Sequence, residues 1–199
     1  MDVAAVVAFI EELDKLKGVV RKTRPLGETG RARYENTAEH SWQIAMLAAA
    51  LEPFAAAPVD INRVIAMLLV HDIGEIDAGD VMVYAEASAP NRKQDELAGV
   101  TRIVGLVQEP QRSRFLELWK EFDAAETSDA RFAHAADRAM PALLNLANDG
   151  QSWKENGISY AQVVRRIGPP IEAGCPALWA HMKARLDAEN ARGWFGMAK

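Results

Sequence analysis

The sequence predicts an all-α protein built as a single domain. Apolar residues recur at three- and four-residue spacing along nearly the whole chain, and alternating β-branched stretches are almost absent. Size agrees, since 199 residues at 49% hydrophobic content suffice to bury one substantial core. No internal repeat, low-complexity segment or domain linker interrupts the pattern.

In chain order, residues 3–16 read as a first helix stopped by Gly18. The segment "ENTAEHSWQIAMLAAAL" opens a second, because Asn36 followed by Glu39 has the spacing of a capping box. A third is expected from about Asp60 to about Gly79, and a fourth from Pro90 or Asn91 to Val107, before Pro110. Residues 109–125 and 128–148 give two more. The stretches "SYAQVVRRIG" and "CPALWAHMKARLDAEN" complete the set, with Pro176 suited to a first turn. Residues 18–35 and 149–158 read as irregular.

Charge and composition narrow the function. With 23 basic against 28 acidic residues the net charge is −5, which argues against general nucleic-acid binding. The single cysteine, Cys175, rules out an intramolecular disulfide and fits a reducing cytoplasm. No apolar run approaches the roughly 18 residues of a membrane span. The start, "MDVAAVVAFIEELDKLKG", places its charges after the apolar stretch, so it reads as an amphipathic helix rather than a secretory signal.

The stretch "AMLLVHDIGEIDAGD" raises the functional question, because an apolar run ends in His71, Asp72, Glu75, Asp77 and Asp80. Burying such groups is costly unless something pairs with them. Either a helix end emerges into solvent here, or the side chains share a partner such as a metal ion. His40 lies one helix earlier. Asp137 lies in a later helix among Ala135, Ala136 and Ala139, small residues that let backbones approach. Two imidazoles and two carboxylates make a mixed nitrogen and oxygen donor set, suited to Mn²⁺, Fe²⁺, Co²⁺ or Mg²⁺ more than to a closed structural zinc site. Pro141, four residues after Asp137, deprives the Asp137 carbonyl of its usual helical donor, so the helix is expected to kink or recruit another. Upstream, residues 15–33 carry Lys15, Lys17, Arg21, Lys22, Arg24, Arg31 and Arg33 against Glu28 alone. A basic strip of this kind suits a phosphate monoester.

The segments "ENTAEHSWQIAM" and "LLVHDIGEIDAGD", followed by Asp137, resemble the HD-domain metal-dependent phosphohydrolase superfamily. The similarity is greatest to its 5′-deoxynucleotidase-like branch, whose segments run E-N-x-x-E-H-S and H-D-x-x-E-x-x-x-G-D, and it covers roughly residues 12–145. The resemblance implies an HD-type helical bundle, with a metal-site core at about 35–145 and C-terminal helices at 159–190. It implies one divalent metal (Mn, Co, Fe or Mg) on His40, His71, Asp72 and Asp137, with Glu75 as the catalytic acidic residue that helps activate water. Asp80 would contact the sugar, and Arg21 corresponds to the family's arginine near the start of the site. Two departures stand out: the loop between Arg21 and Glu35 is longer, and Lys22 and Thr23 replace the tryptophan that follows the arginine.

The expected function is therefore hydrolysis of a phosphomonoester, foremost a (deoxy)nucleoside 5′-monophosphate. The alternatives are another phosphate ester or nucleotide, or a silent metal-binding sensor or scaffold; Glu75 beside a complete ligand set favours an enzyme. The partners expected are a small-molecule phosphate ester, no nucleic acid, no membrane and a second copy of the chain. The homodimer rests on the apolar first helix, on Trp179 and Trp194, and on family habit. His134, one turn before Asp137, and His181 read as packed or exposed. Trp42, Trp119, Trp153, Trp179 and Trp194 read as core or interface aromatics, with Trp153 in a loop near the pocket.

Overall fold

Among the described residues, ten α-helices of four to twenty residues each carry the architecture. A computed structural model describes residues 2–27, 33–85 and 91–195. The helices are α1 (Val3–Asp14), α2 (Thr37–Leu51), α3 (Ile61–Val70), α4 (Glu75–Ala78), α5 (Arg92–Val104), α6 (Gln111–Ala124), α7 (Ser128–Ala147), α8 (Gln151–Glu155), α9 (Tyr160–Gly174) and α10 (Pro176–Ala191). Among the described residues the only pairing of strand type is an isolated antiparallel bridge between Val20 and Asn36. No helix among them is long and apolar enough to cross a membrane.

Helix α7 is the axis of the bundle, packed against α2, α3, α6 and α9. Its alanines make that possible: Ala130, Ala133, Ala135, Ala136 and Ala139 are all buried, so neighbouring backbones come close. At Gly174 of α9 an added Cβ would stand 2.3 Å from the Arg131 carbonyl oxygen and 2.8 Å from Ala135 Cβ. The expected capping box is present at α2, where the Asn36 side chain accepts from the Glu39 backbone and Glu39 answers to the Asn36 backbone.

Three expectations about the elements need correction. The long third helix is two helices, α3 and α4, separated by a tight turn at residues 71–74. Bonds of i to i−3 type close that turn, from Ile73 N to Val70 O at 3.3 Å and from Glu75 N to Asp72 O at 3.0 Å. Gly74 lets this turn lie directly on α5, where a Cβ would meet the Glu96 carbonyl oxygen at 2.5 Å. Second, residues 149–158 are not wholly irregular, since α8 forms there with Trp153 buried. Third, α9 runs past Gly168 through Pro169 and Pro170 to Gly174, held by its packing on α7 and α10. Trp42 is 64% exposed, so of the two readings given for it the core one does not apply. Helix α7 continues through Pro141 to Ala147. Helix α5 opens at Arg92 after Asn91, and Pro90, the other expected opening residue, lies outside the described residues.

Candidate functional site

Three elements bring the four expected ligands to one point. Helix α2 presents His40, α7 presents Asp137, and the turn between α3 and α4 presents both His71 and Asp72. On a continuous helix adjacent residues point about 100° apart. The tightened turn instead brings His71 Nε2 to 2.9 Å from Asp72 Oδ2. Donor atoms of His40, His71 and Asp72 all lie within 4.8 Å of one another. Asp137 Oδ1 is 3.0 Å from His40 Nε2 and 3.9 Å from His71 Nε2.

These residues fit a cation. At His71 burial is outweighed by the neighbouring Asp72 charge, which raises the imidazole pKa, and Nδ1 donates to the Leu68 carbonyl at 2.9 Å, leaving Nε2 to face the site. That nitrogen is buried without an aligned hydrogen-bond partner, although the Asp72 oxygen is close. A ring nitrogen and a carboxylate oxygen held this close in the interior need a positive charge between them, which a proton or a metal cation supplies, and His40 and Asp137 beside them complete a donor set for the metal. Electrostatics agree at His40, where burial first, and then the Arg21 charge, lower the imidazole pKa to about 4 and keep it neutral, as a ligand must be. At Asp72 burial is outweighed by His71 and Arg21, so the carboxylate is held down at about 2. Burial opposes ionisation at Asp137 too, but Arg138 and His40 hold it well below the usual range.

Glu75 begins α4 and is 1% exposed. Thr37 Oγ1 donates to its Oε2 at 3.0 Å, and Arg92 Nη2 lies 3.4 Å from its Oε1. Burial, followed by the charge of Asp72, pushes its pKa far up. Gly79, at φ 76°, turns the chain out of α4. Asp80 then lies 3.4 Å from Arg21 Nη1, which also donates to Asp72 Oδ2 at 3.1 Å.

The basic strip does not act as a unit. Lys15 and Lys17 pair with Glu12 and Asp14, Arg24 with Glu155, and Arg33 with Glu39, all on the surface. Arg31 lies outside the described residues. Only Arg21 and Lys22 of the strip line the cavity of about 580 Å³ that opens over the ligands. His134 is no ligand: its Nε2 donates to the Phe122 carbonyl, and its ring stacks on Phe122, which in turn packs on His71.

Several residues around the site carried no signal in the sequence. Arg92, from the start of α5, reaches Glu75, Glu96 and the Val81 carbonyl. Tyr84 lines the cavity, as does the buried Trp153, which the sequence did suggest near the pocket. Glu35, inside the quoted motif but without an assigned role, is 2% exposed behind His40 and Arg21.

The family model for the HD domain matches residues 13–179. A crystal structure of a predicted metal-dependent phosphohydrolase from Magnetospirillum magnetotacticum MS-1 is 41% identical, superposes with a TM-score of 0.88, and matches over 97% of each chain. A conserved hypothetical protein from Pyrococcus furiosus shares the fold at 16% identity, with a TM-score of 0.60 over 93% of this chain and 99% of its own. The 5′-deoxynucleotidase HDDC2 of Danio rerio is 23% identical over 103 residues, 52% of this chain and 50% of that protein. The Homo sapiens HDDC2 is 24% identical over 106 residues, 53% and 50% of the two chains. This chain thus spans about half the length of the curated relatives it matches. With the family model covering α2 through α9 and the histidines and carboxylates gathered as described, the chain belongs to the HD-domain family.

Proposed function

We propose that this protein is a divalent-metal-dependent phosphohydrolase acting on (deoxy)nucleoside 5′-monophosphates. The observation that carries the reading is the convergence of His71 Nε2, buried and without an aligned hydrogen-bond partner, with Asp72, His40 and Asp137, and the enclosed carboxyl of Glu75 beside them. The kinship with a metal-dependent phosphohydrolase supports the reaction class, and the more distant one with 5′-deoxynucleotidases suggests the substrate. His40, His71, Asp72 and Asp137 would hold one cation, whose bound form polarises a phosphoryl oxygen and makes water more acidic. Glu75, held in place by Thr37 and Arg92, would take the proton of the attacking water once the charge of the cation has drawn its raised pKa down and ionised it. Arg21, once drawn from Asp72 and Asp80, offers its planar fork to two phosphoryl oxygens. Asp80 accepts from a sugar hydroxyl, while Tyr84 and Trp153 give the cavity an aromatic surface for the base.

Phosphate release from a panel of nucleotides and sugar phosphates, with Mn²⁺, Co²⁺ and Mg²⁺ added separately, tests this. We expect nucleoside monophosphates to be hydrolysed in a metal-dependent way, with ribo and deoxyribo forms separated by no more than about 10²-fold, since Lys22 and Thr23 replace the family tryptophan. Turnover confined to triphosphates or non-nucleotide esters would overturn the substrate, and no turnover with any metal would favour a sensor or scaffold. The same reading takes the protein as a cytoplasmic homodimer. Val3, Val7 and Ile10, exposed on one face of α1, are the surface offered for it, because Trp179 packs on Gly168 and Trp194 on Gly150 within the chain. Sedimentation at the mass of one chain at micromolar concentration would exclude the dimer.

A further inference from the structure

Behind the metal ligands three buried polar atoms converge without a hydrogen-bond partner: Glu35 Oε1, Arg21 Nε and His40 Nδ1. Glu35 Oε1 lies 3.4 Å from the arginine nitrogen and 3.8 Å from the imidazole nitrogen. The backbone fixes this meeting. Arg21 N donates to the Glu35 carbonyl at 3.0 Å, Glu35 N to the Thr23 carbonyl at 2.8 Å, and Thr37 N to the Val19 carbonyl at 3.0 Å. The two segments are thereby laced together just before α2 begins, and His40 follows one turn into that helix.

A histidine that ligates a metal through one ring nitrogen needs an acceptor for the N–H on the other, and a carboxylate is a common choice. His71 meets the need with the Leu68 carbonyl. His40, whose Nε2 faces the site beside Asp137, has the Glu35 carboxylate next to its Nδ1. The same oxygen faces Arg21 Nε, on the far side of the guanidinium from the Nη1 that reaches Asp72 and Asp80. An isolated carboxylate this deeply enclosed is costly, and two donors converging on one of its oxygens offset the cost.

We propose that Glu35 is a positioning residue that holds His40 Nδ1–H and Arg21 Nε–H on one carboxylate oxygen, and so couples the metal ligand to the arginine that binds the phosphoryl group. The proposal rests on the reading of the site given above. Its consequence is that one substitution, at a residue touching neither metal nor substrate, weakens two affinities together.

The experiment is calorimetric titration of Mn²⁺ into chelator-treated wild type and Glu35→Gln, followed by titration of inorganic phosphate into the Mn²⁺-loaded proteins. Glu35→Gln keeps the side-chain shape and loses the charge; it is expected to weaken Mn²⁺ by roughly 10- to 100-fold and to weaken phosphate as well. In an Arg21→Ala background the second substitution should still weaken Mn²⁺ but no longer change phosphate affinity, the mark of two residues acting as a pair. Glu35→Asp, which restores the charge one methylene short, should recover part of both affinities and serves if the glutamine variant fails to fold. Mn²⁺ and phosphate affinities within about twofold of wild type in a folded Glu35→Gln protein would overturn the proposal. So would an equal loss of phosphate affinity with and without Arg21. Neither titration needs turnover, so a wild type that binds Mn²⁺ but hydrolyses no phosphate ester would overturn the proposed function and leave these affinities to decide Glu35.

Discussion

Glu75 combines near-complete burial with two fixed neighbours, the Thr37 hydroxyl at 3.0 Å and the Arg92 guanidinium at 3.4 Å. The role proposed for a carboxyl held in this way is proton transfer rather than ligation. Glu75→Gln should therefore retain bound metal and lose roughly 10²-fold or more in kcat, the usual scale for general acid–base catalysis. Metal analysis and phosphate-release kinetics on one preparation check both halves; loss of metal would make Glu75 a ligand. At this scale family spacing located side chains that the fold gathers, His40, His71, Asp72, Glu75 and Asp137, while the parts they play there are proposals. The sequence was silent on Arg92, because a basic residue near a helix start looks the same whether it faces solvent or, as here, reaches Glu75, Glu96 and the Val81 carbonyl. The basic strip misled for a related reason: charge clustered in sequence is dispersed in space by surface partners such as Glu39 and Glu155.

Among the elements, the turn between α3 and α4 does most to shape the site, since it brings His71 and Asp72 together. A glycine inside a helical pattern reads as a modest propensity cost. Nothing in residues 60–79 announces that Gly74 must lie against the Glu96 carbonyl of a helix some twenty residues on. That contact is tertiary, which is why a single helix was expected. Gly74→Ala should force α4 and α5 apart, at about 1–3 kcal/mol of unfolding free energy, and should weaken metal binding as the turn shifts. Gly18→Ala, where an added Cβ meets nothing within 4 Å, should stay within about 0.5 kcal/mol and is the control. Denaturant unfolding of the two variants compares them; equal stabilities would show that the turn tolerates relaxation. The start of α2 is the opposite case. Its capping box is written in four consecutive residues, and it formed as expected because it depends on nothing distant.

For the whole molecule, the all-α class followed from periodicity, and the bundle closes around α7 because its alanines and Gly174 permit close approach. The cost of that closure is a polar centre with four carboxyl groups, those of Glu35, Asp72, Glu75 and Asp137, packed near two imidazoles. A cation that binds the folded state alone stabilises it by mass action, by about 2.7 kcal/mol at a hundred times its dissociation constant. For a chain of this length each kcal/mol moves Tm by about 2–4 °C. Mn²⁺ should accordingly raise Tm by roughly 5–10 °C over chelator-treated protein, and a melting point indifferent to metal would argue that no such site closes the core.

The central claim is that one divalent metal, held by His40, His71, Asp72 and Asp137, is required for phosphomonoester hydrolysis. Its most direct test is to measure bound metal and phosphate release together for wild type and Asp72→Ala after Mn²⁺ loading and removal of excess. The account predicts close to one equivalent of metal and turnover of a nucleoside monophosphate in wild type, with both lost in the variant. Equal metal content in the two proteins, or undiminished hydrolysis by Asp72→Ala, would contradict it.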